Sequence, residues 1–135
     1  MSQAIIRQAL ENKLATLSPV LSTAYENDDF KPLANTPYQA VHLLSATPDN
    51  QTISQYYYKE VGVFQVTLRY PIGGGAALAQ ARAELTKTHF KRGTTITNGA
   101  LRVIITKTPN ISPAFNSDGR YFVPIRIYYE CDINL

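Results

Sequence analysis

Three sets of residues have the types and spacing to do chemistry: a glycine run before a helix, a few metal- and proton-handling side chains, and three arginines at strand positions. Gly73-Gly74-Gly75 precedes a helical stretch, where free backbone N–H groups and the helix dipole could cradle a phosphate. The phosphate-loop pattern is not completed, because no lysine follows before Lys87. The dinucleotide pattern G-x-G-x-x-G fails at Leu78. The run reads as a flexible turn. Asp28 and Asp29 are adjacent, so on a strand they would point to opposite faces, and no calcium-loop pattern surrounds them. His42 and His89 are far apart and neither opens a zinc motif, so each reads as a structural histidine. Cys131 falls on the apolar face of a strand, where it suits a small buried hydrophobe better than a thiolate. No G-x-S-x-G elbow occurs. The expectation is a protein that is not an enzyme and has no cofactor and no metal.

Arg69, Arg102 and Arg126 each alternate away from the apolar side of a strand. If the strands are neighbours, the three share one sheet face with Tyr128 and could hold phosphate, line a lumen or stack a base. Glu130 falls on the same face, and a solvated or subunit-facing surface is the plainer account.

These side chains are positioned around one stretch, Tyr56 to Phe90. Phe64, Val66, Leu68 and Tyr70 alternate with Gln65, Thr67 and Arg69, which predicts a strand with one buried face. Pro71 ends it. The period then becomes helical, with Ala77, Leu78, Ala81 and Leu85 on an apolar face and Gln80, Glu84, Lys87 and Lys91 opposite. Gly93 marks a stop. Before this unit, Ser2 to Leu17 reads as a helix with Ser2 as N-cap and Ile6, Ala9, Leu10, Leu14 and Leu17 as its stripe. Thr23 to Glu26 reads as a short strand and Tyr38 to Leu44 as a clear one. After the central helix, Thr97-Asn98-Gly99 reads as a turn, Leu101 to Lys107 as a strand, and Tyr121 to Ile133 as the last strand, with Pro124 suggesting an edge or a bulge.

The fold class this predicts is α+β. A four- to five-stranded antiparallel or mixed sheet would carry two helices on one face, in the order α-β-β-β-α-β-β. All 135 residues form a single domain. Two long polar prolyl connections, Ser45 to Gln55 and Thr108 to Arg120, stand out on so small a core, and unstructured connections of this length are often functional. Consecutive tyrosines at Tyr56, Tyr57 and Tyr58, with Phe122 and Tyr128, would give the outer sheet face an aromatic character suited to an interface.

The net charge is +3, but residues 59–126 hold ten basic and three acidic side chains while both flanks are acidic on balance. A positive middle fits an acidic partner or phosphate. Arg7, Glu11 and Lys13 in the opening helix argue against a secretory leader, no apolar run approaches a membrane span, and one cysteine forms no internal disulfide.

Several stretches together resemble a family of small tailed-bacteriophage proteins similar in plan to tail terminators. They are ATLSP (Ala15 to Pro19), TPYQ (Thr36 to Gln39), ATPDN (Ala46 to Asn50) and GVFQVTLRYPIGGG (Gly62 to Gly75). ARAELTKTHFKRGT (Ala81 to Thr94) and DGRYFVPIRIYYECDI (Asp118 to Ile133) complete the set. The resemblance implies a structural virion protein of the phage tail or neck, assembled in the bacterial host cytoplasm. It implies a homo-hexameric ring that meets the tail-tube protein on one side and a head-completion or neck protein on the other. DNA would pass through its bore, and no membrane is involved. The alternatives are a head–tail connector of the neck, or a small nucleic-acid-binding module. The residues expected to make contacts are Asp49, Gln51, Tyr56, Tyr57 and Tyr58 in the first long connection, and Phe115, Asp118 and Arg120 in the second. Shortening either the Asp49 to Tyr58 loop or the Ser112 to Arg120 loop is expected to leave a folded monomer but to spoil ring formation or tail joining.

Overall fold

A computed structural model of the chain describes all residues except Met1, Asp28, Leu33, Ala34, Gln51, Ser54 and Leu135. The expected N-cap side chain of Ser2 and the contact residue Gln51 lie outside what is described. The elements run α1 (Ser2–Ala15), β1 (Thr23–Ala24), β2 (Tyr38–Ser45), β3 (Tyr57–Pro71), α2 (Ala77–His89), β4 (Thr95–Asn98), β5 (Leu101–Ile105), β6 (Asn110–Ile111), β7 (Phe115–Ser117) and β8 (Arg120–Asn134). The sheet order is β1-β2-β3-β8-β5-β4, with β6 and β7 also on β8. The β1–β2 pair is parallel and the others are antiparallel, and the sheet curls into a half-barrel.

Eight strands correct the expected four to five, and the order differs accordingly. The physical reason is the length of β8. One edge pairs with β3 along all fifteen residues, from Tyr57↔Asn134 to Pro71↔Arg120. The other edge is far longer than β5, which covers only Tyr129 to Cys131. An open edge of backbone donors and acceptors is costly if buried and sticky if exposed. Here β6 covers Ile125 and Arg126, and β7 covers Arg120 to Phe122. Both strands lie inside the expected Thr108 to Arg120 loop. The expected turn at Thr97-Asn98-Gly99 also shifts, because β4 runs through Asn98 and the turn follows it at Gly99, with φ +62°.

Pro124 is not on an outer edge. It sits mid-β8 opposite Thr67, and its carbonyl accepts from the Ser112 N–H at 2.9 Å. In a strand a residue's N–H and C=O point to the same side, so the missing N–H falls where β8 is paired only in fragments. The continuous β3 ladder therefore loses nothing.

The core lies on one sheet face. Phe64, Val66 and Leu68 of β3 stand opposite Ile127, Ile125 and Val123 of β8, with Val103 and Ile105 of β5 alongside. Ile6, Ala9, Leu10 and Leu14 of α1 cover it, a stripe at helical spacing. Helix α2 corrects the expected facing. Its buried residues are Ala79, Arg82, Ala83 and Thr86, with Phe90 just beyond, while Leu78 and Leu85 are exposed. The sheet side already carries large side chains, so α2 approaches it with its small ones. His89 ties the end of α2 to α1, its Nε2 lying 2.7 Å from the Lys13 carbonyl and 3.0 Å from Thr16 Oγ1.

Candidate assembly surfaces

The β3–β8 ladder separates two ends of the molecule by roughly 45 Å at the usual strand rise. The β2–β3 connection projects at one end. The β7–β8 turn, the start of α2 and the segment before β2 gather at the other.

At the first end, Asp49 and Lys59 exchange backbone hydrogen bonds of 2.8 Å and close the base of the connection. Beyond that base Ile53 is fully exposed, as is much of Tyr56. Tyr57 and Tyr58 alternate, as strand residues must. Tyr58 packs against the core. Tyr57 points to the outer face and donates to Asp132 Oδ1 at 2.9 Å, a bond that pushes its phenol pKa up. Lys59 lies 3.5 Å from Glu130 and 3.8 Å from Asp132. Desolvation alone would lower its pKa, but the two carboxylates outweigh that and raise it. Gly62 belongs to the same end. A Cβ there would lie 2.6 Å from the Leu44 carbonyl oxygen and 2.7 Å from the Tyr129 hydroxyl, so only glycine fits.

At the second end, arginines and aromatic rings are layered on the outer face. Phe115 lies against Phe122 with centroids 5.2 Å apart. The Arg69 guanidinium sits 4.8 Å from the Phe122 ring and 5.5 Å from that of Tyr38, and donates to the Tyr38 hydroxyl at 3.1 Å. Arg120 covers Tyr38 at 4.7 Å and donates to the Thr36 carbonyl at 2.6 Å. Phe30 also meets Tyr38, with ring centroids 5.1 Å apart. Each such cation–ring contact contributes about 0.5–2 kcal/mol, depending on exposure. Asp118 holds the β7–β8 turn with φ +49°.

The three arginines expected on one face do share the outer face, but they are not clustered. Arg69 stands opposite Phe122 and Arg126 opposite Gln65. By register, Arg102 lies beside Asp132, six residues and roughly 20 Å along β8 from Arg126. A shallow groove of about 450 Å³ runs between Arg69 and Arg126, lined also by His42, Thr67 and Phe115. At the far end the acidic side chains Glu130 and Asp132 share the face with Arg102.

A second groove, of about 360 Å³, lies on the opposite side at the Tyr70 end, between α2 and Pro19 to Leu21. Its walls include Val20, Leu78 and Leu85, all exposed, and Arg82 forms part of its lining. Arg82 is 5% exposed. Its Nη1 donates to the Pro19 carbonyl, while Nε and Nη2 meet no acceptor among the described residues. Burial lowers the guanidinium pKa and raises that of the neighbouring Tyr70 phenol. The sequence contained Leu78 and Leu85, but their seven-residue spacing matched a core stripe, so the groove was not legible. The usable signal was the rival stripe of Ala79, Ala83 and Thr86, whose small size suits close packing.

Cys131 is buried, and burial raises its thiol pKa. Among the described residues no group of three or more His, Cys, Asp or Glu side chains could hold a metal ion, and no helix is long and apolar enough to cross a membrane.

A family model described as phage tail terminator protein matches residues 5–129. Ten chains of solved structures match. One, known only by a sequence identifier, is similar over 97% of this chain and 96% of its own, with 27% identity and a TM-score of 0.77. No curated protein matches.

Proposed function

Because the chain belongs to the phage tail terminator family, a family of structural tail proteins, we propose that it forms a closed ring, six-fold in the favoured case, that caps the tail tube and helps join tail to head. The observation that carries this reading is the placement of two unlike surfaces at opposite ends of one rigid ladder. A loop with exposed Ile53 and Tyr56 stands at one end, and an arginine–aromatic layer with an adjoining apolar groove at the other. Identical subunits close a ring through a heterologous contact, in which one patch meets a different patch on the neighbour.

Capping follows from geometry. One ring face complements the last ring of tube protein; the other lacks the tube's own growth surface, so polymerisation ends and a docking platform for a head-completion protein remains. DNA passes through the bore. Asp49, Tyr56 and Tyr57 at one end, and Phe115, Asp118 and Arg120 at the other, supply contacts in this scheme. The test is electron microscopy of tail-tube protein polymerising with and without this chain. Tubes that stop growing and carry a ring at one end support the reading; unchanged length distributions with bare ends contradict it. A neck adaptor would instead bind assembled heads without affecting tube length.

A further inference from the structure

Helix α2 leaves a groove that the rest of the chain does not fill. Leu78 and Leu85 stand seven residues apart on its outer face and are 69% and 45% exposed. Val20 faces them across the groove, and Arg82 lies in the lining with two buried donors lacking an acceptor among the described residues. Buried donors of this kind are costly unless something supplies an acceptor. An apolar wall beside an unsatisfied guanidinium suits an aliphatic side chain accompanied by a carboxylate.

The chain carries such a pair at its other end. Ile53 is fully exposed on the β2–β3 connection, and Asp49, also exposed, is four residues before it. Charge is complementary as well. Glu130 and Asp132 lie near that connection, with Lys59 between them, whereas the charged side chain in the groove lining is Arg82, and Arg69 and Arg120 stand at the same end of the ladder on the outer face.

We propose that the α2 groove receives the β2–β3 connection of a second copy of this chain, with Ile53 against Leu78, Leu85 and Val20, and Asp49 supplying the acceptor for Arg82. The contact is head-to-tail, because the two patches lie at opposite ends of the β3–β8 ladder, and it can therefore propagate around a ring. It rests on the ring reading above and names the surfaces that make it.

The test is native mass spectrometry of wild type, Ile53→Asp, Leu78→Asp and Arg82→Met, alone and with tail-tube protein, read in whichever sample the wild type assembles. Ile53 and Leu78 are exposed, so those variants should melt like wild type. Arg82→Met replaces a buried unsatisfied cation with an apolar stem, so its melt should hold or rise while association weakens. Each variant is expected to weaken association about tenfold or more. The decisive sample mixes Ile53→Asp with Leu78→Asp. Each retains one good patch, so the mixture should give one-to-one dimers and no closed ring.

Rings of wild-type size from all three variants overturn this contact but leave the ring reading standing. So does loss of association with a mixture that stays monomeric, or intact rings that fail only to bind tube, which would assign the groove to another protein. A wild type that is monomeric in both samples overturns the ring reading and this contact together.

Discussion

The two long polar connections look alike in sequence and differ in structure. Between β2 and β3 the chain makes the isolated bridge Asp49 to Lys59, and beyond it presents Ile53 and Tyr56 to solvent. Between β5 and β8 it adds two short strands to the edge of β8, buries Pro109, packs Ile111 against the core and stacks Phe115 on Phe122. One is a projecting tip and the other is part of the sheet. Length and polarity mark both as unusual, but only an unpaired backbone edge nearby decides which becomes structure.

This contrast can be broken most severely by replacing residues 109–117 with a short Gly-Ser link. The cut removes β6, β7 and the Ile111 contact, and should cost about 3 kcal/mol or more. Thermal unfolding should fall by about 10 °C. An unchanged melt would contradict the assignment of this segment to the sheet. Single substitutions sharpen the same point. Ile111→Ala should cost about 1–2 kcal/mol through lost packing, and Phe115→Ala about 1 kcal/mol through loss of its ring partner, both read from denaturant midpoints. If Phe115→Ala is neutral, the stack with Phe122 is only a surface coincidence.

Shortening residues 50–55 should behave oppositely, shifting stability by under about 0.5 kcal/mol while abolishing association. A melt shift as large as that of the 109–117 replacement would erase the distinction between tip and sheet.

The smallest expected effect concerns acid. Glu26 accepts from the Leu43 N–H and from Arg7 Nη1 at 2.8 Å. Desolvation would raise its pKa, but the Arg7 and Leu43 bonds together lower it. A lowered folded-state pKa means stability that is present above the ordinary carboxylate value and is lost as pH falls through the lowered one. Glu26→Gln should remove that part of the acid sensitivity, a few tenths of a kcal/mol for a pair so exposed, visible as a flatter dependence of unfolding on pH below about 4.5.

What could be read from sequence follows the same division. Burial alternates strictly from Val123 to Cys131, and from Phe64 to Leu68 it does so except at Thr67, which is also buried, because each strand turns its large apolar side chains to one face. The α1 stripe was equally plain, since Ile6, Leu10 and Leu14 are large side chains buried at helical spacing. The short strands were not legible. Asn110–Ile111 and Phe115–Ser117 are too brief to show a period, and they exist because β8 needs partners. Helix α2 was misread in facing because its leucines lie outward and its alanines inward, an arrangement that periodicity alone does not distinguish. The arginines were placed on the correct face, but their spread along it depends on a register that no single strand contains.

The account stands or falls on assembly, and the most direct measurement is native mass spectrometry of the wild-type chain across concentrations, alone and with tail-tube protein. It predicts a closed multiple of the 15.0 kDa chain, six-fold in the favoured case, in at least one sample. A monomer in both, at every concentration, would contradict it.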